Sequence, residues 1–94
     1  MNRLRGKDNY KKAKAMKAKV NLGDLIIELP VEYLDQQTCS SSVFDDVPTD
    51  MVDMDALIEA NRTIGVCWYY HEVIGEDRRA LHVSVPTEFI KWED

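Results

Sequence analysis

The chain has 94 residues, 45% of them apolar and 31% charged, with a formal net charge of −5 and an isoelectric point near 4.9. That size and balance describe one soluble domain at most and exclude a disordered chain. The acidity counts against a domain built wholly for nucleic-acid binding, since such domains are usually basic.

The net value hides a division. Residues 1–20 hold eight basic residues against Asp8 alone, giving +7, and residues 21–94 hold four against sixteen acids, giving −12. The sequence therefore divides into a basic N-terminal helical arm, residues 1–20, and an acidic α+β body, residues 21–94, within one domain. A basic arm on an acidic body points to a polyanion, an acidic partner or a second copy of the chain.

Residues 7–20 are rich in Ala and Lys and predict a helix. Asp8 stands at its start, and Asn21 and Gly23 are its terminators. Tyr10, Ala13, Met16 and Val20 form only a thin apolar stripe. Lys11, Lys12, Lys14, Lys17 and Lys19 are the expected basic anchor, suited to phosphates rather than to reading bases.

Leu25-Ile26-Ile27-Glu28-Leu29 predicts a strand that Pro30 ends or marks as an edge. Pro30 can also open a helical turn within residues 31–37. Residues 38–50 hold Ser40-Ser41-Ser42, Asp45-Asp46 and Pro48 and predict an irregular loop. A short helix is expected over residues 53–62, capped by Asp53 or Asp50, with Met54, Leu57 and Ile58 inward.

Residues 63–74 and 80–85 predict two antiparallel strands. A turn centred on Glu76 and Asp77 places His71 opposite His82, on one face with Cys67, Tyr69 and Ser84. The other face, with Val66, Trp68, Tyr70, Leu81, Val83 and Val85, is the expected core. Phe89, Ile90 and Trp92 should fold back onto it. The fold class expected is α+β, a small three-stranded antiparallel sheet packed with an N-terminal helix and a second short helix.

Two surfaces follow as partner-binding candidates. Asp45, Asp46, Asp50, Asp53, Asp55 and Glu59 can imitate a row of phosphates, although helix capping and solvation explain much of that run. The series lacks the fixed rhythm and the Gly of a calcium loop. Tyr69, His71 and His82 form the second surface. A His pair beside Cys67 can bind a metal, sense pH or activate the thiol, but ordinary surface or interface histidines are the stronger reading. No catalytic, cofactor or metal site is therefore expected.

Cys39 and Cys67 read as reduced thiols of a cytoplasmic protein, with a single disulfide the alternative. No apolar run approaches a membrane span, and no apolar segment of a secretory signal follows the basic start. The function expected is that of a small non-enzymatic accessory or inhibitor protein, of phage or mobile-element type, that blocks a larger protein partner. The alternatives are a nucleic-acid contact through the arm and a homodimer.

Overall fold

The computed structural model describes residues 17–93. Seven strands and one α-helix are present among them, in two antiparallel sheets. Strands β1 (Lys17–Leu22), β2 (Leu25–Pro30) and β7 (Lys91–Glu93) form the first, in the order β2-β1-β7. Strands β3 (Leu34–Gln37), β4 (Ser41–Pro48), β5 (Cys67–Glu72) and β6 (Arg79–Pro86) form the second, in the order β3-β4-β6-β5. Helix α1 is Met54–Thr63. The fold is α+β, but the expected single three-stranded sheet with two helices is replaced by two sheets and one helix among the described residues.

The correction begins at the N-terminal arm. Of the helix expected over residues 7–20, residues 17–20 belong to β1, and the rest lies outside the described residues together with Lys11, Lys12 and Lys14. The stretch alternates: Ala18 and Val20 are buried, whereas Lys17 and Lys19 are not. Pairing on both sides, Ala18 with Leu29 and with Trp92, overrides the helix propensity of Ala and Lys. Asn21 and Gly23 end no helix. Leu22 pairs with Leu25, so Gly23-Asp24 is a two-residue hairpin turn with Gly23 at φ +65, the backbone setting that favours Gly in such turns.

A second correction lies in the expected loop. Residues 41–48 are β4, an inner strand between β3 and β6. Its Ser42, Phe44 and Val47 are fully buried. Ser42 is satisfied by Thr87, whose hydroxyl lies 2.8 Å away and also donates to the Thr38 carbonyl at 2.9 Å, as a buried polar group requires.

Pro30, Pro48 and Pro86 each end a strand and lead into one short 3-10 turn. Proline lacks the N–H that would continue the ladder. Helix α1 starts as its sequence suggests: the Asp53 carboxylate accepts from the backbone N–H of Asp55 at 3.0 Å and of Ala56 at 3.3 Å. It stops where Gly65, at φ +81, turns the chain and the Val66 N–H returns to the Ala60 carbonyl at 3.3 Å.

One core joins both sheets and the helix. Val20, Ile27 and Leu29 of the first sheet meet Phe44, Val47, Leu81, Val83 and Val85 of the second, with Ala56, Leu57 and Ala60 from α1. Trp68, Ile90 and Trp92 pack against this cluster, as expected. Phe89 and Tyr70 stay 43% and 41% exposed, so neither belongs to the core assigned from the sequence. Tyr70 instead lies under the Arg79 guanidinium, 4.8 Å from the ring centroid. No helix among the described residues is long and apolar enough to cross a membrane.

Phe44 fills the middle of this core from an inner strand. Phe44→Ala should lower the unfolding free energy by about 3–5 kcal/mol, and Asp53→Ala, which removes only the cap, by about 1 kcal/mol. Urea denaturation followed by circular dichroism measures both. A Phe44→Ala loss no larger than the Asp53→Ala loss would contradict the placement of Phe44.

Candidate functional site

On a regular strand, neighbouring side chains point to opposite faces. Strand β4 breaks this rule at one place. Phe44 pairs with Val83 and Val47 with Leu81, so Asp45 and Asp46 together stand opposite His82. This is a β-bulge, and Asp46 takes a left-handed backbone at φ +60, the one non-glycine residue to do so among those described. Asp is among the few residue types that tolerate this conformation. The bulge aims both carboxylates at one imidazole, as bulges commonly re-aim side chains.

The register of β5 and β6 brings that imidazole in. Tyr69 pairs with His82 and His71 with Ala80. The expected pairing of His71 with His82 is thus corrected by two residues. A shift of two preserves the face, so Tyr69, His71 and His82 still share the side away from the core.

His71 Nε2 lies 3.0 Å from Asp45 Oδ1 and 3.2 Å from Asp46 Oδ1. His82 Nδ1 approaches the same Asp45 oxygen at 3.3 Å, and the Asp46 N–H donates to it at 2.9 Å. The Tyr69 ring stacks on His82 with centroids 4.7 Å apart and planes 14° from parallel. Both imidazoles are mostly covered, 28% and 27% exposed, whereas Asp46 is 53% and Tyr69 56% exposed.

Two details define the electrostatics. Partial burial pushes the Asp45 carboxyl up, but the Asp46 N–H, the His82 hydrogen bond and the charges of both histidines outweigh it and hold its pKa below the ordinary aspartate value. His71 Nδ1 meets the Glu72 carbonyl at 3.2 Å. With Nδ1–H donating there, Nε2 is the ring nitrogen that faces the two carboxylates. Nε2 is buried and, although close to both oxygens, makes no hydrogen bond of suitable geometry with either.

The other candidates lie elsewhere. Asp53 is the cap of α1, Asp55 sits in its first turn, and Asp50 is in the 3-10 turn Thr49–Met51. Glu59 pairs with Arg62 at 3.1 Å along the helix. The row of acids expected from the sequence is therefore divided, and only Asp45 and Asp46 join the histidines. Lys17 and Lys19 face outward from β1 and pair with Glu28 at 3.5 Å and Glu93 at 3.1 Å. Cys67 shares the face of His71 but stands four residues along the strand, roughly 13 Å away at strand spacing. Its thiol contacts the Gly65 carbonyl at 3.7 Å, so His71 does not activate it. Cys39 and Cys67 are both exposed free thiols.

Sequence reasoning named Asp45, Asp46, Tyr69, His71 and His82 but kept the acids and the histidines as separate surfaces. The missed signal is the spacing of Phe44 and Val47, which fits one face only if an extra residue intervenes. Comparison with known proteins adds no assignment: no protein-family model, curated protein or solved structure matches the chain.

The bulge gives a direct test. Glycine relieves the left-handed strain at position 46, whereas a β-branched residue worsens it, so Asp46→Gly should be more stable than Asp46→Val by at least about 1–2 kcal/mol. Equal stability in chemical denaturation would mean that residue 46 does not hold this conformation.

Proposed function

We propose that this chain is a small non-enzymatic interaction protein that covers a site on a larger protein through the outer face of its four-stranded sheet. The observation that carries this reading is the convergence of Asp45, Asp46, Tyr69, His71 and His82 on one partly exposed patch. Aromatic side chains with a polar tip are enriched at protein contacts. A Tyr ring already stacked on an imidazole loses little conformational freedom on binding. The two carboxylates favour a basic surface on the partner and steer its approach.

The exposed free thiols support a reducing compartment such as the cytoplasm. An inhibitory role on a nucleic-acid-binding partner fits the acidic patch, since carboxylates can occupy a groove lined by Lys and Arg. The nucleic-acid reading gains less support. Its anchor lysines among the described residues, Lys17 and Lys19, already face Glu28 and Glu93.

Capture experiments with the full chain in lysate of its source cells test the proposal. One protein should be retained after nuclease treatment, and Tyr69→Ala should weaken its binding by at least about tenfold while the fold is kept. Loss of the captured protein with nuclease, or equal binding by Tyr69→Ala, would overturn the reading.

A further inference from the structure

We propose that Asp45, Asp46 and His71 form a binding site for a divalent transition-metal ion of borderline softness, for which Zn2+ is the reference probe. The inference concerns these side chains alone and holds whether or not the surrounding face binds a protein.

The donor set is the first reason. One imidazole nitrogen and two carboxylates suit such an ion. Calcium and magnesium prefer oxygen ligands throughout. The ligand atoms of Asp45, Asp46 and His71 lie within 4.8 Å of one another, and rotation of the exposed Asp46 carboxylate brings the two oxygens to a common ion.

Geometry is the second reason. Zinc bonds to nitrogen and oxygen measure about 2.0–2.2 Å. Two ligands at those distances are then about 2.8–3.6 Å apart for bond angles between 90° and tetrahedral. The separations from His71 Nε2 to Asp45 and Asp46, 3.0 and 3.2 Å, fall in that range. Oxygens that lie off the Nε2–H direction are poor acceptors for that proton, and the same oxygens can still share an ion with the nitrogen. Nε2 is buried, close to two carboxylate oxygens, and hydrogen-bonded to neither.

Support around the ligands is the third reason. Metal-binding histidines usually donate their other ring N–H to a carbonyl or carboxylate, which fixes the tautomer. His71 does this with Glu72 at 3.2 Å. Asp45 is held by the Asp46 N–H at 2.9 Å and by His82 Nδ1 at 3.3 Å. His82 is thereby a positioning residue for Asp45, and Tyr69 packs on it. The nearby Arg78 is engaged by Glu76 at 2.6 Å. Three protein ligands leave a further coordination position for water or for a donor from a partner.

Isothermal titration of the chelator-treated full chain with Zn2+ tests the site. A Cys39→Ser/Cys67→Ser background removes the two thiols as competing ligands. One Zn2+ should bind per chain in that background, and millimolar Ca2+ should not displace it. His71→Ala and Asp46→Asn should each weaken binding by at least about tenfold, and His82→Gln by about tenfold or more through Asp45. Zn2+ should raise the melting temperature of the parent and not that of His71→Ala. Imidazole 15N spectra of the parent give a readout that needs no variant to fold: the His71 Nε2 resonance should shift while Nδ1 keeps its proton. No binding in the thiol-free chain, binding unchanged by His71→Ala, or an unshifted His71 Nε2 would overturn the assignment.

Discussion

Phe44 and Val47 are both fully buried, yet they stand three residues apart on one strand. Strand side chains alternate, so an odd spacing cannot place both on one face unless a residue is added. The bulge at Asp45-Asp46 is that addition, and most of the molecule's polar organisation depends on it. Deleting a buried Phe is among the costliest core changes, whereas one left-handed Asp costs of order 1 kcal/mol. Core packing therefore wins, and the local strain is carried on the surface by a residue type suited to it.

That compromise has a chemical consequence. The added residue presents two adjacent carboxylates on the outer face opposite His82, where the β5–β6 register also delivers His71. Charges gathered like this are expensive unless something balances them. The balance is partly internal, through the Asp46 N–H and His82 on Asp45. It is incomplete at His71 Nε2, which faces both carboxylates without a hydrogen bond. In the three-stranded sheet, by contrast, Lys17 and Lys19 are matched by Glu28 and Glu93.

Much of the fold was legible in the sequence where the signals were local. Helix α1, its Asp53 cap, strand β2 and the β5–β6 hairpin follow from spacing and from turn residues. The faces of the hairpin were legible too, because a register change of two leaves side-chain parity intact. Four strands were missed: β3, expected within a helical turn over residues 31–37, β7, expected as a tail, and two others whose misreading has a clear physical reason. In β1, alternating Lys-Ala-Lys-Val follows a segment of high helix propensity, and only its two flanking strands decide the outcome. In β4, Ser and Asp residues look like a loop, and the bulge interrupts the alternation that would have revealed a strand.

The sequence alone determined the composition of the site: two adjacent aspartates, two histidines and a tyrosine able to share a face with them. It also determined the caps and stops, since these depend on residues a few positions apart. Only the tertiary structure decided that the aspartates and the histidines form one group. They lie 25 or more residues apart in the chain and meet because β4 and β5 flank β6. Strand order is a collective property of the folded chain that no local pattern encodes, and the spacing of Phe44 and Val47 signals a bulge only once both are placed in one core.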